Sequence, residues 1–288
     1  MDKYVDEYII EELSSHMESI IIDKSVYKII SFLKGDLLMY KEEITHYSEN
    51  LNRDMHIMIY GHDGVPFLAF PTQDSLCHNY EEFGMINELS GYLEAGKIQY
   101  FVVDTIDKES WSEGDPDYGR RAWKQELYFR YIVYEAMPII LERTGGKLPM
   151  TTGCSLGANH AVLTVLRRPD LFSGCLALSG LYDSSVFFKG WMNETLYDNS
   201  PECFLTNMSP DHPYIEEYNK KQIIICVGQG AWEEDGIRSL RYLESVFRQK
   251  GINAWCDFWG YDVNHDWPWW FKQMHYFLPI IFERWGMQ

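Results

Sequence analysis

PMTTGCSLGANHAVLTVLRRP, residues 149–169, decides the reading of this chain. An apolar approach (Leu148, Pro149, Met150, Thr151, Thr152), a Gly-x-Ser-x-Gly pentapeptide centred on Ser155 and an amphipathic run follow one another without a break. Ala158, Ala161, Val162, Val165 and Leu166 recur at helical spacing until Pro169 ends the run. The stretch predicts a strand, a sharp turn and a helix, with the Ser155 hydroxyl raised at the end of a sheet. Gly153 and Gly157 flank the turn, where a Cβ is expected to clash with strained backbone or neighbouring strands. Because the pentapeptide also arises by chance in unrelated chains, the strand and helix around it carry the argument. Cys154 adjoins the serine, but the apex position of the turn belongs to Ser155.

Outward from this unit, residues 65–70, 98–103, 148–152, 175–178, 223–227 and 254–258 are short apolar runs, most of them rich in Val, Ile and Phe. Such runs predict strands buried on both faces. Residues 121–142, 158–167 and 237–250 keep their apolar side chains on one face and predict helices between those strands. Ahead of them, residues 44–47 and 55–60 alternate apolar and polar side chains around Asn50, Asn52 and Asp54, an antiparallel pair at a sheet edge. The pattern predicts an α/β fold: a mostly parallel central sheet with helices on both faces. It is read as one domain over residues 39–288, preceded by an N-terminal helical extension at residues 1–38. Residues 183–221 exceed an ordinary connection and are rich in aromatics, so they are read as a lid or pocket wall, with plain surface packing as the other reading.

A formal net charge of −18 over 288 residues argues against nucleic acid and anionic membrane as partners, since neither Lys nor Arg clusters anywhere. The first residues are acidic, unlike a signal peptide, and no apolar run reaches transmembrane length; a cytoplasmic location is expected. Four of the six cysteines fall in apolar strand-like runs, and no C-x-x-C spacing suggests zinc or a redox pair. The apolar stripe of the N-terminal extension is open to two readings, homo-oligomer formation or packing on its own domain.

A serine hydroxyl needs a general base within hydrogen-bond reach and a third group to orient that base. In a strand–turn–helix setting the partners are expected in the order Ser, acid, His. His265, in the loop after the strand at 254–258, is the best base among nine histidines. The acid is expected among three consecutive residues after the strand at 223–227: Glu233 first, from its spacing to Gly230, with Asp235 and Glu234 as alternatives. Some of these acids are also explained as helix-start charges. An oxyanion hole is expected from the backbone N–H of Leu156 and one N–H of the loop after the strand at 65–70, with Gln73 ahead of Thr72 and Asp74. Trp232 and Trp267, with Trp269 and Trp270, are read either as an aromatic substrate-binding mouth or as core packing.

These landmarks resemble the branch of the α/β-hydrolases that holds esterase D-like and feruloyl-esterase-like enzymes. The resemblance runs from about residue 40 to the C-terminus, through SENLNRDMHIMIYG, FPTQD, VDTIDKESW, GCSLGANHA, RRPDLFSG, LALSG and NHDWPWW. It implies an α/β-hydrolase fold and serine hydrolysis of a small-molecule ester, with Ser155 as nucleophile, His265 as base, Glu233 or a neighbour as acid, and no metal or organic cofactor. Where the superfamily often shows His-Gly-Gly in the oxyanion loop, this chain has Thr-Gln-Asp-Ser, and the segment before residue 40 has no counterpart. The expected activity is that of a carboxylesterase working through an acyl-enzyme. Acyl transfer on the same triad and a catalytically silent binding scaffold are the alternatives.

Overall fold

The computed structural model describes residues 39–286, so the extension read at residues 1–38 lies outside the described residues. Eight strands form one sheet in the order β1-β2-β4-β3-β5-β6-β7-β8. They are β1 (Lys41–Ser48), β2 (Arg53–Tyr60), β3 (Val65–Phe70), β4 (Ile98–Val103), β5 (Met150–Cys154), β6 (Gly174–Leu178), β7 (Gln222–Val227) and β8 (Ala254–Phe258). β1 and β2 pair antiparallel, β2 joins β4 antiparallel, and the six strands from β4 to β8 run parallel. This is the α/β-hydrolase arrangement expected from the sequence. At one edge β1 alternates exposed and half-buried residues, turning Lys41, Glu43, Thr45 and Tyr47 to solvent.

β3, β4, β5 and β6 are buried along their whole length, and alternate residues on them feed two separate cores. Leu68, Phe70, Phe101 and Val103 pack with α1 (Tyr118–Tyr131), α2 (Met137–Thr144), α3 (Leu156–Arg167) and α4 (Glu234–Lys250). Phe67, Ala69, Tyr100 and Val102 pack on the other face with the short helical turns between Asn79 and Glu94 and with α5 (Trp267–Arg284). Helices therefore cover both sides of the sheet.

The helix expected at 121–142 is two helices joined by a π-turn, Ile132–Ala136, directly before α2. Pro138 supplies the reason: it has no N–H for the preceding turn and its ring would clash there, so the ladder widens and restarts with proline in its first turn. The strand expected at 148–152 begins later, at Met150, and runs through Cys154. Among the described residues no helix is long and apolar enough to cross a membrane, and all six cysteines are free.

Candidate active site

β5 ends at Cys154 and α3 begins at Leu156, which leaves Ser155 alone on the turn with φ 58° and ψ −128°. Few residues adopt that conformation, and it holds only because the surroundings over-determine it. An ideal Cβ on Gly153 would lie 2.2 Å from the carbonyl of Gly157, and one on Gly157 would lie 2.2 Å from the carbonyl oxygen of Phe70. Both glycines are there because backbone occupies the space a side chain would need. The Ser155 N–H donates to the Leu178 carbonyl at 3.0 Å, which ties the turn to the end of β6.

β6, β7 and β8 end on the same rim as β5. The loops after β7 and β8 are zipped together: Gly230 N–H donates to the Val263 carbonyl at 2.8 Å, His265 N–H to the Ala231 carbonyl at 3.0 Å, and Ala231 N–H to the Asn264 side-chain oxygen at 2.8 Å. That zipper sets Glu233 and His265 side by side. The result is a hydrogen-bonded chain: Ser155 Oγ lies 2.9 Å from His265 Nε2, and His265 Nδ1 lies 3.1 Å from Glu233 Oε2. An imidazole with a carboxylate on Nδ1 and a hydroxyl on Nε2 is arranged to take the hydroxyl proton and to be stabilised once it holds it.

Three consecutive acids meet three different fates. Glu233 is fully buried, whereas Glu234 and Asp235 are exposed in the first turn of α4, and Asp235 pairs with Arg238 at 2.7 Å. Only Glu233 of the three hydrogen-bonds the imidazole. Its Oε1 accepts the Ser179 hydroxyl at 2.5 Å and the Gly228 N–H at 3.4 Å. Ser179, just past β6, in turn accepts the Trp270 indole N–H at 2.9 Å, and the Trp270 ring meets His265 edge-on at 5.2 Å. Sequence reasoning gave Ser179 no role here and read Trp270 only as part of an aromatic mouth or of the core, not as a donor to that serine. The LALSG landmark contained the serine, but a helix Trp more than ninety residues away as its donor leaves no local signal.

A cavity of about 150 Å³ opens at Ser155, lined among others by Gln73, Leu156, Phe187, Trp232 and His265. The N–H of Leu156 has no carbonyl to bond within its own helix, being in the first turn. In the loop after β3, the Thr72 N–H donates to the Asn79 side chain at 3.0 Å and the Asp74 N–H to Asp107 Oδ2 at 3.4 Å, so both are already engaged. Gln73, between them, faces the cavity. Asp107 also meets His160 Nε2 of α3 at 2.8 Å, a pair buried on both sides, and Asp74, with φ 63°, accepts the Ser112 hydroxyl. Trp232 stands at the cavity with 84% of its surface exposed. Trp267 is not among the lining residues: it stacks on Phe83 at 5.0 Å and meets Tyr80 and Trp270 edge-on, which makes it part of the packing under α5 rather than of the mouth. From the segment at 183–221, Phe187 reaches the cavity. Burial pushes the Cys154 thiol up to about 12, which removes it as a competing nucleophile near neutrality.

Comparison with known proteins agrees with this architecture. A family model described as "Putative esterase" matches residues 48–279. A ferulic acid esterase superposes with a TM-score of 0.66 at 15% identity, covering 84% of this chain and 97% of that one. The S-formylglutathione hydrolase of Agrobacterium tumefaciens gives 0.59 at 15% identity, with 82% and 91% covered. A ferulic acid esterase of Anaeromyces mucronatus gives 0.59 at 13% identity, with 83% and 89% covered. A search of curated proteins returned no match. With four-fifths of its length matched by that family model on an α/β-hydrolase fold, the chain belongs to the "Putative esterase" family and is a carboxylic ester hydrolase.

Proposed function

We propose that the protein is a serine carboxylesterase acting on a small ester through a Ser155–His265–Glu233 triad and an acyl-enzyme. The observation that carries this reading is the unbroken hydrogen-bond chain from Glu233 through His265 to a serine held in a strained turn. As the Ser155 oxygen attacks the ester carbonyl, His265 Nε2 takes its proton and Glu233 stabilises the imidazolium through Nδ1. The carbonyl oxygen, now an anion, is received by the N–H of Leu156 and, in this reading, by that of Gln73, since Thr72 and Asp74 have theirs committed. Collapse of the tetrahedral adduct breaks the ester C–O bond, and His265 returns the proton to the departing alkoxide. Water then attacks the acyl-enzyme with His265 again as base, releasing the acid and restoring Ser155.

The small cavity favours a compact acyl group, and exposed Trp232 offers a flat apolar wall for whatever extends beyond it. Ser155→Ala is expected to abolish burst release of a chromogenic alcohol from short-chain acyl esters and to lose labelling by a fluorophosphonate. Turnover retained in full by that variant overturns the assignment. A panel of acetyl, longer acyl, feruloyl and thioester substrates ranks the acyl preference.

A further inference from the structure

We infer that Ser179 is a positioning residue for the hydrolysis: its hydroxyl, itself held by the Trp270 indole, fixes the Glu233 carboxylate so that Oε2 faces His265. The inference rests on the triad reading and extends it by two residues. A glutamate side chain has three rotatable bonds, and a carboxylate anchored through Oε2 alone would swing about its contact with the imidazole. Here Oε1 is pinned by Ser179 at 2.5 Å, a distance typical of a hydroxyl bonded to an ionised acceptor. The hydroxyl of Ser179 has one proton to give. Trp270 Nε1, which can only donate, reaches the same oxygen at 2.9 Å and so fills one of its lone pairs, leaving the proton to point at Glu233. Nothing in the group can rotate without leaving a buried polar atom unpaired, since Ser179, Glu233 and Trp270 are all buried.

The backbone around Ser179 is equally committed. Ser179 has φ 56°, an unfavoured value for a residue with a Cβ, and its N–H donates to the Cys226 carbonyl at 2.7 Å, prolonging the β6–β7 pairing by one step past the strand. The left-handed turn carries the hydroxyl from the end of β6 to the acid that follows β7. Packing needs alone give no reason for a strained residue with a polar side chain here. Trp270 connects the same anchor to the base, because its ring also buttresses His265 edge-on at 5.2 Å. One indole therefore restrains the acid through Ser179 and the imidazole by contact.

Tyr182 and Cys226 also face Glu233, and burial drives both well above their ordinary range. His265 is the ionisable side chain hydrogen-bonded to the Glu233 carboxylate, through Oε2. A carboxylate deprived of one donor holds a proton more tightly, so removing the Ser179 hydroxyl raises the proton affinity of the Glu233–His265 pair and shifts the acid limb of the rate profile upward.

The test compares full-length wild type with Ser155→Ala, Ser179→Ala, Ser179→Gly and Trp270→Phe, following kcat and KM for p-nitrophenyl acetate against pH. Both Ser179 variants are expected to lose about tenfold to a hundredfold in kcat with KM within about twofold, the loss expected of one charge-assisted hydrogen bond. Both should move the acid limb up by about half to one pH unit. Glycine relieves the positive φ and alanine does not, so the two differ in thermal stability but share the shift; a purely structural role would scale with stability and leave the limb in place. Trp270→Phe moves the limb the same way by less. An unmoved limb in both Ser179 variants, with Ser155→Ala inactive, refutes this inference and spares the triad. A fully active Ser155→Ala overturns the triad, and this inference with it.

Discussion

Replacing Glu233 by glutamine keeps the shape of the site and reverses one hydrogen bond, and the structure dictates which one. Oε1 of Glu233 faces two donors, the Ser179 hydroxyl and the Gly228 N–H, so the amide oxygen of the glutamine must take that position. Its NH₂ then occupies the place of Oε2, 3.1 Å from His265 Nδ1. Two donors cannot face each other, so the imidazole shifts its proton to Nε2 and presents Nδ1 as acceptor. Nε2 is the atom 2.9 Å from Ser155 Oγ; carrying a proton, it no longer accepts the one that the serine must lose. The variant should therefore fold normally and lose about 10³- to 10⁴-fold in kcat, the cost of a wrong tautomer combined with an unsupported imidazolium. In free energy that is about 4 to 5.5 kcal/mol of barrier. KM should stay within about threefold, because the substitution keeps the size and shape of a fully buried side chain and so leaves the cavity at Ser155 as it is. Steady-state hydrolysis of p-nitrophenyl acetate, with circular dichroism to verify folding, measures it. A folded Glu233→Gln enzyme within about tenfold of wild type would refute the tautomer argument and with it the role given to Glu233.

Other substitutions probe separate links of the structure. Gly157→Ala drives a Cβ to 2.2 Å from the Phe70 carbonyl oxygen and should destabilise the fold by about 2 to 3 kcal/mol, seen as a lower melting temperature. Trp232→Ala removes a ring that is 84% exposed beside the cavity; KM for bulky esters should rise about threefold to tenfold with melting unchanged, and an unchanged KM across the panel dismisses the ring as a substrate wall. Asp107→Ala strands His160 in the core and releases the Asp74 N–H, so both stability, by about 3 kcal/mol, and kcat should fall; denaturant melts and rate measurements test the pairing of the two losses. Iodoacetamide at mildly alkaline pH should leave Cys154 unmodified in folded protein, as its thiol titrates at about 12, and modify it after denaturation, which peptide mass mapping reads directly.

Strand positions were legible because two-sided burial writes itself as runs such as Ile223–Val227, and the turn at Ser155 because its glycines sit at fixed offsets from it. The order of serine, acid and histidine followed from the loops that end β5, β7 and β8. The spacing from Gly230 put Glu233 ahead of Glu234 and Asp235 but left all three open, since they differ in the direction each side chain leaves the start of α4: one inward, two outward. The reading of 121–142 as one helix passed over Pro138, before which the helix widens into a π-turn. The pairing of Ser179 with Trp270 escaped for a related reason: it is a contact between the end of β6 and α5. Trp267 and Trp270 share a sequence neighbourhood, and only the helical rotation between them sends one to the stack on Phe83 and the other to the hydroxyl of Ser179.

The border strand β1 has a consequence for the molecule in crowded solution. Among the described residues no strand pairs with its outer side, and such an edge is the ordinary template on which a second copy could extend the sheet between molecules. Lys41, Glu43 and Thr45 project to solvent along it, and Glu42 and Arg143 clamp one end through a two-pronged ion pair. An incoming strand would have to strip water from these charges while two strongly anionic bodies approached each other. The same charged fringe thereby works against sheet extension from one molecule to the next at this edge.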